Sequence, residues 1–147
     1  GTALTLRTSI IGREIAKMSH MGLIEWFLSN HNETVNGYTK AIYTGFPTVA
    51  LAEVVADVIE NHQALSGLYH VSTEPINKYE LLSLVRDAMD LPIQITPFDG
   101  VALDASLNSE RFRTATGYSP PSWPALVQSM TQDITPYDEW RKLNVSG

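Results

Sequence analysis

The sequence predicts an α/β fold built from short strands and four to five helices. Strand-like and helix-like segments alternate along the chain, and 147 residues are enough for one domain with a core. Hydrophobic residues make up 44% of the chain and charged residues 18%, which is typical of globular domains. No linker divides the chain, so residues 1–147 are predicted to form a single domain.

The N-terminal third is predicted to contain a strand, a helix and two further strands. Thr2–Ile11 has the apolar character of a buried strand. Gly22–Asn30 is predicted to be helical, because its apolar residues recur at helical spacing. Two short strands are predicted over Thr34–Tyr38 and Ala41–Thr44, where Asn36-Gly37 is a turn dipeptide.

From Thr48 onward, helices and short strands alternate. Thr48 is predicted to cap a helix that runs to about Asn61, and a capping box of Asn77 and Glu80 opens the next helix. The other predicted elements are strands over Gly67–Val71 and Ile93–Thr96, a short helix capped by Asn108 or Ser109 that ends near Gly117, and a last helix from Ser122 to about Trp140. Only three or four strands are available, fewer than a full doubly wound sheet needs.

Charge and composition exclude several classes of function. The net charge of −6 argues against nucleic acid or an anionic membrane as partner, because both require a basic face. The absence of cysteine excludes disulfides, thiolate nucleophiles and Cys-ligated zinc. No apolar run is long enough for a bilayer and no signal peptide pattern is visible, so a cytoplasmic location is expected.

No complete catalytic constellation is present in the sequence. None of the 9 glycines lies in a dinucleotide-binding pattern, and Gly-Lys-Ser/Thr is missing. The four histidines are scattered without metal-ligand spacing, so no metal site is predicted. Some hydride-transfer enzymes use a tyrosine with a lysine four residues later. Here Tyr137 has Arg141 at that spacing, and arginine does not substitute well for lysine because it is bulkier and has a different geometry. No catalytic residue is therefore predicted.

A series of segments resembles the C-terminal part of an extended short-chain dehydrogenase/reductase, the group of dTDP-4-dehydrorhamnose reductases and nucleotide-sugar epimerases. The segments are Leu6-Arg7-Thr8-Ser9-Ile10-Ile11-Gly12, Gly22-Leu23-Ile24-Glu25-Trp26-Phe27-Leu28, Tyr43-Thr44-Gly45-Phe46-Pro47-Thr48, Gly67-Leu68-Tyr69-His70-Val71-Ser72, Ile76-Asn77-Lys78-Tyr79-Glu80-Leu81-Leu82 and Ser106-Leu107-Asn108-Ser109-Glu110-Arg111-Phe112. Their order and spacing follow the family to about Arg141.

The resemblance implies that the Rossmann half is absent from this chain. In the family, the N-terminal half supplies the glycine-rich cofactor loop and the Tyr-x-x-x-Lys pair. This chain keeps the last strand or strands of a Rossmann-like sheet together with the substrate-binding lobe. The resemblance therefore implies that NAD or NADP serves the intact enzyme and that this chain alone binds no cofactor. The strand-like opening at Ala3-Leu4 without a leading Met is compatible with a truncated chain or with a short cloning scar.

The resemblance also implies a set of substrate-binding residues: Thr8, Ser9, Ile10, Arg13, Tyr43, Thr44 and Arg111. The first three resemble the segment that borders nicotinamide and sugar, although a simple strand end is an equal alternative. Arg13 stands where many relatives have proline and could supply a positive charge. Arg111 could face a phosphate or be an ordinary exposed helix arginine. Ala105 replaces an arginine that family members commonly carry for gripping pyrophosphate.

Two hypotheses of function follow. The first is the substrate-binding portion of an NAD(P)-dependent nucleotide-sugar reductase or epimerase, catalytically incomplete as this chain. The alternative is a stand-alone, non-enzymatic binding or assembly module derived from such a lobe. Under the first hypothesis, a nucleotide-sugar type of small molecule is the expected ligand. Apolar surface left by a missing N-terminal half predicts self-association or pairing with that half.

Overall fold

The computed structural model describes residues 3–15 and 22–143, and the described chain contains seven strands and six helices. The strands are β1 (Leu4–Arg7), β2 (Ile10–Ile11), β3 (Thr34–Tyr43), β4 (Phe46–Pro47), β5 (Gly67–His70), β6 (Ile76–Asn77) and β7 (Gln94–Asp104). The helices are α1 (Leu23–Ser29), α2 (Thr48–Asn61), α3 (Lys78–Ala88), α4 (Glu110–Thr116), α5 (Trp123–Thr131) and α6 (Tyr137–Leu143). The predicted α/β class is confirmed, with six helices where four to five were predicted.

Two parallel strand pairs replace the single first strand predicted over Thr2–Ile11. β1 pairs with β5, and β2 pairs with β4, so the two halves of the predicted strand belong to different pairs. Thr2 lies outside the described residues. Parallel strands require a long crossover connection, and here the connection between β1 and β5 contains α1, β3 and α2. Ile10, predicted as a buried position, is 57% exposed.

The two strands predicted over Thr34–Tyr38 and Ala41–Thr44 are one continuous strand, β3. It lies between β6, which is antiparallel to it, and β7, which is parallel to it. The Asn36-Gly37 turn prediction was therefore wrong. Gly37 is required for another reason, because a Cβ at this position would lie 2.7 Å from side-chain atoms of Tyr79 and Ile95. The close packing of α3 on β3 selects glycine here.

β7 also departs from the sequence prediction. Its eleven residues replace the short strand predicted over Ile93–Thr96, and the predicted total of three or four strands was too low. β7 follows the whole length of β3, with a register shift between Tyr38 and Lys40. Most of its residues are exposed, so alternation of apolar and polar side chains does not mark it in the sequence.

The core lies where α5 packs against both α2 and α3 and where α3 covers β3. Its largest fully buried side chains include Phe27, Phe46, Phe112, Leu81, Leu82 and Leu126. Each such side chain contributes about 1.5–3 kcal/mol of transfer free energy. No helix of the described residues has the length and apolar character required to span a membrane.

The helix ends follow local sequence signals in most cases. Asn77 Oδ1 accepts a hydrogen bond from the Glu80 amide at 2.8 Å, and Gly117 closes α4 in the left-handed conformation with φ +72°. Ser122 caps α5 as predicted. Thr48 is not a cap, because it is the first residue of α2 and its preceding residue, Pro47, holds the cap position. The predicted last helix is two helices, α5 and α6, separated by the segment 132–136.

Candidate functional site

A cavity of about 210 Å³ lies beside the loop that follows β2. The start of α1, the end of β3 and the first residues of α2 and α3 close its other sides. Its lining residues are Ile10, Ile11, Gly12, Arg13, Glu14, Gly22, Leu23, Tyr43, Thr48 and Lys78. The structure thus brings three residues of the predicted substrate-binding set, Ile10, Arg13 and Tyr43, to one cavity.

Tyr43 lines this cavity and carries an unpartnered hydroxyl. Its oxygen is buried and has no hydrogen-bond partner among the described residues. Burial raises the pKa of the Tyr43 phenol well above its ordinary value, so the group is a neutral hydrogen-bond donor at physiological pH. The ring lies 6.4 Å from Trp123, and a Cβ at Gly45 would overlap the hydroxyl oxygen.

Arg13 lines the cavity but is held by two carboxylates. Its Nε donates to Glu25 Oε1 at 2.6 Å, and its Nη2 donates to Asp138 Oδ1 at 2.8 Å. Glu25 is 8% exposed and also receives Arg141 Nη2 at 2.8 Å and the Glu14 amide at 3.0 Å. Burial raises the pKa of Glu25, but these hydrogen bonds outweigh burial and hold the pKa below its ordinary value. Glu25 is therefore an anion that orders the Arg13–Glu14 loop.

Lys78 joins this cavity to a second groove of about 360 Å³. The groove is lined by Leu23, Trp26, Asn36, Tyr38, Lys78 and Leu82. It shares Leu23 and Lys78 with the first cavity. Within residues 3–15 and 22–143, the Lys78 ammonium forms no ion pair, in contrast to Arg13. One cation without an ion pair among the described residues thus lines both the aromatic groove and the cavity beside Tyr43.

Thr8, Ser9 and Thr44 hold neighbouring segments together. The Ser9 carbonyl accepts the Phe46 amide at 2.8 Å, and Thr8 Oγ1 donates to the same carbonyl at 3.3 Å. Thr44 is 2% exposed, and its Oγ1 accepts the Leu107 amide at 2.9 Å. None of the three is among the residues that line the two cavities.

Arg111 lies away from these cavities, on α4. Its Nη1 donates to the Leu68 carbonyl at 3.0 Å, and its guanidinium lies 4.4 Å above the Tyr69 ring. Both contacts tie α4 to β5. The Arg111 guanidinium is therefore engaged by residues of this chain, away from the two cavities.

A third cavity, of about 500 Å³, lies between the end of β5 and α4. Its lining includes the buried Ser72 and Ser109 hydroxyls, which bond to each other at 2.8 Å. Arg113 donates to Ser109 Oγ at 2.9 Å and also pairs with Glu74. These groups are committed to one another and fasten α4 to the segment after β5. In the described part of the chain, no cluster of three His, Asp or Glu side chains could hold a metal ion.

Solved structures resemble this fold, although the sequence itself has no close relatives among those compared. No protein-family model matches the sequence, and no curated protein sequence matches it. The NADP complex of dTDP-4-dehydrorhamnose reductase from Bacillus anthracis superposes with a TM-score of 0.70 at 16% identity, covering 89% of this chain and 48% of that one. A hypothetical dTDP-4-dehydrorhamnose reductase from Sulfolobus tokodaii gives a TM-score of 0.60 at 23% identity, covering 82% and 45%. The UDP-N-acetylglucosamine 4-epimerase from Bacillus cereus gives 0.63 at 14% identity, covering 86% and 46%.

This chain has a short-chain dehydrogenase/reductase-like fold. The predicted resemblance is confirmed at the level of the fold, and the chain spans about half the length of the solved structures it matches. That share agrees with a C-terminal part of such a protein. Identities of 14–23% establish the fold alone.

The sequence analysis missed Lys78, Trp26 and Glu25. The Asn77 capping signal places Lys78 in the first turn of α3, but it does not say that β3 and α1 lie beside that turn. Trp26 reads as an apolar helix position, although it is 36% exposed and lines the groove. Glu25 reads as a surface carboxylate, because its partners Arg13 and Arg141 are distant in sequence.

Proposed function

We propose that this chain is the substrate-binding portion of an NAD(P)-dependent nucleotide-sugar reductase or epimerase. The observation that carries the proposal is the pair of adjoining cavities that share Lys78. An uncommitted cation and two aromatic side chains line these cavities. A nucleotide sugar combines an anionic diphosphate, an aromatic base and a hydroxyl-rich ring, so its chemistry matches these groups.

Each group has a definite role in this proposal. The Lys78 ammonium pairs with a phosphate as a point charge, and the Tyr43 side chain forms part of the cavity wall. Trp26 and Tyr38 provide apolar faces against which a base packs, an interaction that contributes about 1–3 kcal/mol per base. The chain thus supplies binding and orientation.

The hydride chemistry of the intact enzyme belongs to NAD(P), which the residues of this chain do not accommodate. A dinucleotide site needs closely spaced glycines at a strand-to-helix turn, and none of the 9 glycines has that spacing. Among the solved structures that this chain resembles, the Bacillus anthracis dTDP-4-dehydrorhamnose reductase is in complex with NADP, and the dTDP-glucose 4,6-dehydratase from the same organism is in complex with NAD. We therefore assign no catalytic step to this chain and propose that its cavity positions the sugar for a cofactor held elsewhere.

The small size of the β1–β5 sheet favours pairing with a further segment that completes it. Among the described residues it is a parallel sheet of only two strands. Parallel sheets are normally larger and covered on both faces. Leu68 in this pair is 47% exposed. Pairing with further parallel strands of an N-terminal half would satisfy the open backbone groups of the pair.

Nucleotide binding tests the proposal directly. Titration of the chain with dTDP and UDP, followed by calorimetry, should show saturable binding. Lys78→Ala should weaken that affinity by about tenfold, the effect expected of a charged hydrogen-bonding partner. Lys142→Ala is the matched control, because Lys142 is exposed and lines neither cavity. Equal affinities for the two variants, or no binding of either nucleotide, would contradict the proposal.

A second candidate function is a non-enzymatic assembly module. It is favoured by large apolar side chains on the surface, of which Ile134 is 96% exposed, Leu143 73% and Ile59 63%. Sedimentation should then show concentration-dependent self-association while dTDP and UDP fail to bind. Nucleotide binding by a strictly monomeric chain would exclude this candidate.

A further inference from the structure

α6 is attached to the rest of the chain by charge rather than by apolar burial. It contains no buried residue, and its Trp140 and Leu143 side chains are 43% and 73% exposed. Its contacts include the ion pairs of Asp138 with Arg13 and of Arg141 with Glu25, together with hydrogen bonds from the Arg141 guanidinium to the Glu14 carbonyl. The Arg13 guanidinium also lies 5.7 Å from the centre of the Tyr137 ring. A helix held in this way depends on these polar contacts for its position.

Arg13 stands between α6 and the candidate cavity. Arg13 and Glu14 line the cavity, whereas no residue of α6 does. The Arg13 guanidinium donates two hydrogen bonds to carboxylates. Its Nε donates to Glu25, and its Nη2 donates to Asp138. A carboxylate and a phosphate bind a guanidinium through the same N–H groups. Asp138 thus occupies donors that an anionic ligand in the cavity would use.

We propose that α6 is a strap that occupies the Nη2 donor of Arg13 beside the cavity, and that an anionic ligand competes with Asp138 for Arg13. This inference rests on the proposed function for the identity of the anion as a phosphate group. Release of the strap frees Nη2, while Nε remains on the buried Glu25 and keeps the loop in place. Anion binding at Nη2 and the Asp138 contact are therefore mutually exclusive, while Arg141 keeps α6 attached to Glu25.

The exposure of Asp138 makes the strap displaceable. Its side chain is 71% exposed, whereas that of Glu25 is 10% exposed. Exposed ion pairs are weak and are screened by salt, so the Asp138 contact yields before the Glu25 contact. We therefore expect a change in anion affinity between about 1.5-fold and fivefold when Asp138 is neutralised.

Hydrogen exchange of α6 tests the strap without any ligand. Asp138→Asn should increase exchange of the α6 amides relative to α5 by about two- to fivefold, and about 1 M NaCl should do the same in the wild type. Glu139→Gln is the control, since it removes the same charge from the same helix and Glu139 forms no ion pair with a described residue. Equal exchange in the two variants would overturn the strap.

Titration with inorganic pyrophosphate tests the competition. Asp138→Asn should bind it about 1.5- to fivefold more tightly than Glu139→Gln does, and in the wild type pyrophosphate should accelerate exchange in α6. Equal affinities would overturn the competition even where the exchange result supports a strap. If no variant binds pyrophosphate or dTDP, the proposed function fails and the competition fails with it, whereas the exchange result still decides whether α6 is a strap.

Discussion

Replacement of Glu25 by glutamine perturbs the carboxylate that organises the candidate site. Glu25 Oε1 lies 2.6 Å from Arg13 Nε and 2.8 Å from Arg141 Nη2, and the residue is 8% exposed. Glutamine keeps the size of the side chain and one carbonyl acceptor but removes the charge. Two guanidinium groups then lose the anion that they share.

The magnitude follows from the burial of the three groups. Removal of one partner from a fully buried ion pair costs about 3–5 kcal/mol, whereas an exposed pair contributes about 1 kcal/mol or less. The Arg13 and Arg141 side chains are 26% and 24% exposed, so water solvates part of the charge left behind. We expect Glu25→Gln to lower the free energy of unfolding by about 1–3 kcal/mol.

The effect should depend on pH in a defined direction. Burial raises the pKa of Glu25, but hydrogen bonds from Arg13, Glu14 and Arg141 outweigh it, so the folded pKa lies below 4.5. A carboxyl with a lowered pKa stabilises the fold above its unfolded pKa, and the contribution is lost as the pH falls through the folded value. The difference between wild type and Glu25→Gln should be largest near neutrality and shrink below pH 4.5.

Urea denaturation followed by tryptophan fluorescence measures both effects. The control is Glu60→Gln, an exposed position on α2 without an ion pair to a described residue, which should change stability by less than about 0.5 kcal/mol. The reasoning is refuted if Glu25→Gln is as stable as this control at neutral pH. A difference that stays constant from neutral to acidic pH would refute the pKa argument alone.

Three further substitutions test the geometry around the cavity. Tyr43→Phe should raise the free energy of unfolding by up to about 1 kcal/mol in urea denaturation, because it removes a buried hydroxyl without a partner. A marked loss of stability would show instead that the hydroxyl is paired. Gly45→Ala should cost about 1–3 kcal/mol in the same assay, because its Cβ overlaps the Tyr43 hydroxyl. Gly117→Ala should cost only about 1–2 kcal/mol, since its φ of +72° strains alanine while the surrounding space is open; a larger loss here than at Gly45 would contradict the packing argument.

Local signals in the sequence predicted the ends of several helices. Asn77, Gly117 and Ser122 act within three or four residues of their own positions, so the hydrogen bonds they make are encoded in short segments. Thr48 failed as a predicted cap because Pro47 continues the β4 backbone into the first turn of α2. The existence of α2 was nevertheless predicted from its apolar periodicity.

Strand pairing escaped the sequence analysis because its partners are distant in the chain. Gly37 lies opposite Pro97, and β1 pairs with β5 about sixty residues later. The Asn36-Gly37 dipeptide is typical of a turn in isolation, but the neighbouring β7 backbone holds it extended. Tertiary pairing therefore outweighed local preference at these positions.

The candidate site likewise has features that the sequence determines and features that only tertiary contacts determine. The sequence by itself determined that a cation could stand at position 13, that no cofactor loop is present, and that the chain resembles half of a larger α/β protein. Only the tertiary structure decided that Glu25 and Asp138, which lie 12 and 125 residues from Arg13, neutralise that cation while Lys78 stays uncommitted at the cavity. The physical reason is that charge is a property of each residue, whereas its availability depends on which groups the fold brings within a few ångströms.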